Sequence, residues 1–194
     1  MLKTKRLIIR PYEKQDEDKV YVVINSKGIY QTTLNIPYPY PREQIGIWLQ
    51  FTLKNALYKR GYEWGIFSLD NDYIGNIGIV NIDWKNKNGE VTYFIGETYW
   101  NLGYGTEAVE AILVFAFNEL QLERVKGRCM TCNPASLRVM QKCHFTVEGI
   151  ARHEVCKDGI FQDVWQAAIL KEDYLGNIGR TKNAGENTTK ESNT

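Results

Sequence analysis

The chain has 194 residues, 43% of them hydrophobic, enough to bury one sizeable core and short enough to favour a single domain. With 24 basic and 23 acidic residues the formal net charge is +1, so there is no global bias towards nucleic acid or an anionic membrane. No run approaches the roughly 18 apolar residues of a membrane-spanning helix. The segment from Met1 to Arg10 lacks the apolar core of a signal peptide, so a cytoplasmic location is expected. Four cysteines are too few for a disulfide framework at this length. Cys129-Met130-Thr131-Cys132 has C-x-x-C spacing, but no second pair accompanies it, only His144 and His153 are at hand, and it ends a strand instead of opening a helix. Buried or incidental thiols, and no metal, are the expectation.

In chain order, Arg6 to Pro11 reads as a strand stopped by its proline. Glu13 to Ser26 reads as a helix with Val20, Val23 and Ile24 on one face, ended by Gly28. Pro37, Pro39 and Pro41 forbid a helix over residues 31–42, leaving an extended loop that carries Tyr38 and Tyr40. Such a loop either covers the edge of the core or lines a substrate pocket. Pro41 starts a second helix with Ile45, Trp48, Leu49, Leu53, Ala56 and Leu57 at helical spacing. Residues 62–69, 73–82 and 90–95 alternate as strands, joined by Asp70-Asn71-Asp72 and by the polar turn Lys85 to Gly89, and make an antiparallel meander. A helix over residues 106–120 presents Val109, Ile112, Leu113, Ala116, Phe117 and Leu120 as one stripe and leads to a strand over residues 122–131. That strand–helix–strand crossover implies one parallel pair inside an otherwise antiparallel sheet. A short helix over residues 136–143 and a hairpin over residues 145–154 and 161–170 follow, and residues 176–194 have the composition of a disordered tail.

The chemistry concentrates between Glu90 and Phe145. Gly103 and Gly105 remove side chains from a turn at a helix start, where outward N–H groups and the helix dipole suit a bound pyrophosphate. Gly103-x-Gly105-x-x-Ala108 also fits a dinucleotide-binding fingerprint with Glu123 downstream. A hairpin meander before it, Glu123 at the start of the next strand, and too little remaining chain argue against a doubly wound sheet. No G-x-x-x-x-G-K-[ST] is present to support a nucleotide triphosphatase.

The combination of Trp100-x-x-Gly103-x-Gly105 with Asn133-x-x-Ser136, Lys142 and Phe145 resembles the GCN5-related N-acetyltransferase (GNAT) superfamily. Further segments resemble its ribosomal-protein alanine N-acetyltransferase branch. These are Thr4-x-Arg6-Leu7-x-x-Arg10-Pro11, Pro39-Tyr40-Pro41, Ile74-Gly75-x-Ile77-Gly78, Glu90-Val91-Thr92-Tyr93, Tyr104-Gly105-Thr106-Glu107-Ala108 and Asp163-Val164-Trp165. The resemblance runs in order over residues 3–174. It implies a mixed α/β (α+β) fold, with six to seven mostly antiparallel strands, one parallel splayed pair and helices on both faces. One N-acetyltransferase domain would span residues 1–175, as a monomer or homodimer.

The resemblance also implies an enzyme that moves acetyl directly from acetyl-CoA to a primary amine, most closely a protein N-terminal α-amine. A polyamine or aminoglycoside acceptor, or a non-catalytic acyl-CoA-binding module, are the alternatives. Phe94, Ile95 and Gly96 would pair with the pantetheine amides, and Trp100, Asn101, Leu102, Gly103, Tyr104, Gly105 and Thr106 would hold the pyrophosphate. Asn133 would bond the cofactor arm. Ser136 would sit near the thioester sulfur and protonate it, or else cap its helix. Glu90 would be the base, directly or through water, or else a solvated strand-end residue, with Glu97 a second candidate. Cys129 and His144 are poor candidates, and a lone histidine beside Phe145 is expected to be packed. The sequence departs from the pattern at Trp100, Asn101, Leu102 and Gln141, and at His144, which stands where glycine is usual.

Overall fold

A computed structural model describes residues 1–176, so the expected tail lies, beyond its first residue, outside the described residues. Eight strands form one sheet: β1 (Leu2–Lys3), β2 (Leu7–Arg10), β3 (Tyr62–Ser68), β4 (Tyr73–Asp83), β5 (Asn88–Ile95), β6 (Arg124–Met130), β7 (Thr146–Lys157) and β8 (Ile160–Leu170). Their order is β1-β2-β3-β4-β5-β6-β8-β7. Every neighbouring pair is antiparallel except β5 and β6. The α-helices that pack on it are α1 (Glu17–Ile24), α2 (Lys27–Thr32), α3 (Gln44–Leu57), α4 (Tyr104–Val114) and α5 (Pro134–Lys142), and residues 171–176 are helical as well.

Period-two alternation along the central strands divides the core in two. Trp64, Ile66, Ile77, Ile79 and Val91 bury one face of the sheet against Ala108, Val109, Ile112 and Leu113 of α4 and Met140 of α5. Phe67, Tyr73 and Phe94 bury the other against Val20 and Ile24 of α1, Ile29 of α2, and Ile45 and Leu49 of α3. Helices therefore cover both faces, as the resemblance implies.

Four local expectations need correction. The sheet has eight strands because β1 exists only by pairing, Leu2 to Ile9 and Lys3 to Ile8, and two residues carry no periodic signal. The first helix is shorter than Glu13 to Ser26: a 3-10 turn over Lys14–Asp16 precedes α1, and Asn25 leaves the helical region. Gly28 does not end that helix but lies inside α2. A Cβ there would meet the Glu97 carboxyl carbon at 2.5 Å, so this glycine admits a close neighbour. The helix expected over residues 106–120 is α4 followed by a π turn at Phe115–Glu119.

Candidate active site

The parallel ladder between β5 and β6 runs from Asn88↔Arg124 to Val91↔Gly127 and stops. Beyond it β6 stays with β8 as far as Met130↔Val164, and β5 stays with β4 as far as Ile95↔Gly75. The two strands part at Thr92. A cavity of about 840 Å³ occupies the opening and is lined from both faces of the sheet, by Tyr93, Gly105 and Ser136 on one side and Trp48, Glu63 and Phe94 on the other.

At one end stands the start of α4. Its N-cap Gly103 has φ +82, a left-handed conformation that glycine adopts without strain, and no side chain caps the helix. The first bond to a helical N–H runs from Glu107 N to Gly103 O at 3.1 Å, leaving the N–H groups of Tyr104, Gly105 and Thr106 at the cavity wall. At Gly105 a Cβ would find its nearest protein atoms at 3.6 Å or more, so packing alone does not require glycine there. The missing side chain instead leaves room in the cavity. Arg138 and Lys142 of α5 line the same end. Three orphan donors, a helix dipole, two cations and unfilled space fit an anionic, phosphate-bearing ligand.

The turn is braced from far away in sequence. Glu107 accepts from Thr4 Oγ1 at 2.6 Å and Arg6 Nε at 2.7 Å, while Arg6 Nη1 donates to Leu102 O at 2.9 Å. The Trp100 indole donates to Ile95 O at 2.6 Å, fastening the other side of the turn to β5.

Asn133 and Ser136 divide the work at the start of α5. Asn133 is the N-cap, its Oδ1 accepting from Ser136 N at 3.1 Å, and its Nδ2 donates to Thr32 O at 2.9 Å. Because Asn133 caps the helix, the Ser136 hydroxyl is released from that duty and lies 2.9 Å from Tyr93 Oη. Burial pushes the Tyr93 phenol well up, against the opposing Ser136 hydrogen bond, so it is a proton donor across the physiological range. Cys129, also in the lining, is held as a thiol: burial raises it, against a hydrogen bond from Ser136.

Glu90 lines the cavity at the last but one rung of the β5–β6 ladder. It is not a solvated strand end. Oε1 accepts from Arg128 Nε at 2.9 Å, Oε2 from Asn81 Nδ2 at 3.3 Å, and Arg128 Nη1 reaches on to Glu154 at 2.8 Å. Glu97 is elsewhere: its carboxylate takes the Ser26 hydroxyl and Gly28 N at the start of α2 and is absent from the cavity lining. Of the expected cofactor contacts, Phe94, Ile95, Trp100, Asn101, Gly103, Tyr104, Gly105, Thr106, Asn133 and Ser136 line the cavity. Gly96 and Leu102 do not. Gly96 N is bonded to Ile74 O at 2.8 Å, and Leu102 points to solvent. His144 is exposed, not packed, with φ +64 in the turn after α5, which is the backbone reason that glycine suits this position.

The loop after α2 does both things expected of it: Asn35, Ile36, Pro37 and Tyr40 line the cavity, and Tyr40 and Ile36 also pack against the core. The last hairpin shapes it indirectly: Lys157 Nζ donates to Thr33 O at 2.6 Å and to Tyr30 O, and the Tyr30 hydroxyl bonds Asp158. Glu63, Asn76 and Trp48 complete that end and were not anticipated from the sequence. The signal for Glu63 was present: it shares strand parity with Phe67, so a charge stands at an inward position of an apolar strand.

The sequence model of the acetyltransferase (GNAT) domain matches residues 6–146. The chain is 30% identical over 179 residues to an uncharacterized N-acetyltransferase, YnaD, of Bacillus subtilis (strain 168), covering 88% of this chain and 97% of that one. Among solved structures, RimL, a ribosomal alpha-N-protein acetyltransferase in complex with coenzyme A, superposes with a TM-score of 0.81 at 20% identity, covering 88% of this chain and 97% of that one. A spermidine N-acetyltransferase from Vibrio cholerae, in complex with CoA and spermine, gives 0.77 at 20% identity, with 89% and 99% covered. At these identities the two structures establish the shared fold.

Proposed function

Since the chain belongs to the GNAT acetyltransferase family, enzymes that transfer an acetyl group from acetyl-CoA to an amine, we propose that its acceptor is a protein N-terminal α-amine. The observation that carries this reading is the charge distribution along the cavity. One end has the orphan N–H groups of α4 with Arg138 and Lys142, and the other has only two carboxylates, Glu63 and Glu90, of which Glu90 is already matched by Arg128. That end suits one ammonium group, whereas a polycation would call for more unmatched acid.

Bound acetyl-CoA supplies a thioester whose acyl carbon the amine attacks directly. In our reading Tyr104, Gly105 and Thr106, with Trp100, Asn101 and Gly103, hold the diphosphate, and β5 from Thr92 to Ile95 offers its free edge to the pantetheine arm. The Ser136 hydroxyl, backed by Tyr93, holds a proton for the departing sulfur. Arg128 and Asn81 fix the Glu90 carboxylate, occupying two of its roughly four acceptor positions and leaving the others for the water that takes the ammonium proton. We read residues 1–175 as one catalytic domain.

The test is an acceptor screen that reads CoA release from acetyl-CoA, comparing peptides with free N-termini, polyamines and aminoglycosides. Turnover concentrated on the free peptides is the expected result. Turnover of polyamines with peptides inert would replace this acceptor with a small amine. Thermal melts in the same samples report the donor site: acetyl-CoA at 100 times its dissociation constant should stabilise the fold by about 2.7 kcal/mol.

A further inference from the structure

We propose that Glu63, walled by Tyr40 and Trp48, is the binding site for the acceptor's ammonium group. The inference deepens the amine-acetyltransferase reading and rests on it for the identity of the ligand, though not for the chemistry of the site.

Position comes first. Glu63 is paired with Gly78, and Gly78 with Thr92, so all three lie on one row across the sheet. Thr92 is the residue at which β5 parts from β6. Directly opposed residues in a sheet normally keep their Cβ atoms about 4.5–5.5 Å apart. A Cβ built on Gly78 would meet Tyr62 O at 2.5 Å, Glu63 Cγ at 2.7 Å and Glu63 Cα at 2.8 Å, so the two strands approach too closely here for a side chain on β4. With no side chain on Gly78, nothing from β4 stands between the foot of the Glu63 side chain and Thr92 on this row, and both residues line the cavity.

Electrostatics come second. Glu63 and Glu90 are the two acidic residues in the cavity lining. Glu90 has Arg128, but no Lys, Arg or His lies within ion-pair distance of Glu63 among the described residues. The polar neighbour that acts on it is neutral: Asn76, itself oriented by a 2.7 Å bond from Tyr12 Oη to its Oδ1. Burial raises the Glu63 carboxyl, against the Asn76 hydrogen bond. A half-buried carboxylate without a counter-ion gains from an arriving cation that replaces lost water. The walls match that ligand. Tyr40 and Trp48 line the cavity with the acid, and burial and the Glu63 charge both raise the Tyr40 hydroxyl. A carboxylate with two aromatic neighbours is suited to an alkylammonium group.

Binding, not turnover, is the test. Titration calorimetry of the full chain with n-hexylammonium, and with 1-hexanol as its neutral counterpart, should show binding of the cation alone. Glu63→Gln should weaken it by about tenfold or more, and Tyr40→Leu by several-fold. A peptide with a free N-terminus should displace hexylammonium, its N-acetylated twin should not, and spermidine in a parallel titration ranks the small-amine source. Acetyl-CoA thermal shifts on each variant verify the fold and report the donor site separately. A full acetyl-CoA shift with hexylammonium binding unchanged by Glu63→Gln, or no binding to the unmodified protein, overturns the Glu63 site. Loss of hexylammonium binding in Glu63→Gln, with no acetyl-CoA shift in any sample, keeps the ammonium site and overturns the donor reading instead.

Discussion

At the residue scale the molecule separates acids by what surrounds them. Asp16 is 1% exposed, and its carboxylate takes two bonds from Arg10, at 2.8 and 3.0 Å, plus one from Glu13 N at 2.8 Å. Burial pushes the Asp16 carboxyl up, but the Arg10 and Glu13 bonds outweigh it and leave it below its usual range. A carboxyl depressed in the folded state stabilises the protein above its unfolded pKa, about 3.9, and the contribution is lost as pH falls through the folded value. Asp16→Asn should therefore cost about 2 kcal/mol at neutral pH, since it leaves Arg10 with only the exposed Glu13 carboxylate, at 3.8 Å, as a charge partner. The gap in melting temperature between the two proteins should be constant from pH 7 to about pH 5 and narrow as the pH falls below about 3.9. A constant gap across the range would mean that Asp16 acts by shape and not by charge. Glu63 is the contrasting case, an acid with no cation of its own, and that difference makes it a candidate for binding instead of scaffolding.

At the scale of elements, the glycine turn and α4 depend on pieces of chain that the sequence keeps far apart. Thr4 and Arg6 reach Glu107, and Arg6 also holds the Leu102 carbonyl, so the N-terminal motif braces the end of the cavity formed by the start of α4. The two glycines of the turn serve different ends. Gly103 is needed for its backbone angle, whereas Gly105 is needed for its empty space. Gly105→Ala should keep or raise the melting temperature, because alanine is favoured over glycine inside a helix by roughly 0.5–1 kcal/mol. The same methyl group should weaken acetyl-CoA binding by about tenfold, a cost of the size expected from overpacking a filled site. Calorimetry with acetyl-CoA beside a melting curve checks both halves. A drop in both would show that Gly105 serves the fold.

At the scale of the whole molecule, the acceptor end of the cavity is held by elements that never enter it. Lys157, on the last hairpin, donates to the carbonyls of Tyr30 and Thr33 and so fixes the loop that carries Ile36, Pro37 and Tyr40 to the cavity wall. Lys157→Met should raise the acceptor KM by roughly three- to tenfold, the worth of a hydrogen bond or two, while the KM for acetyl-CoA stays the same. Steady-state kinetics with each substrate varied in turn separates the two. An equal rise in both constants would mean that the hairpin supports the whole cavity and not only its acceptor end.

What the sequence determined by itself is whatever local pattern carries. Alternating strands, the amphipathic stripe of α4, the crossover that forces one parallel pair, and the motif residues Gly103, Gly105, Asn133 and Ser136 were all legible, because periodicity and turn chemistry act over a few residues. The α3 stripe was legible only in its first half, since Ile45 and Leu49 are buried but Leu53 and Leu57 are exposed and Thr52 is buried in their place. Boundaries set by contact were not. The two-residue strand β1 exists only through β2, and Gly28 looked like a helix end because its real neighbour, Glu97, is 69 residues away. Only the tertiary structure could decide which carboxylate is matched and which is free. Glu90, Glu63 and Glu97 are alike as letters, but the sheet sets Arg128 beside the first, a glycine on the next strand beside the second, and a helix start beside the third. A side chain's chemistry is local, whereas its charge partner and its share of water are set by whatever the fold brings within a few ångströms.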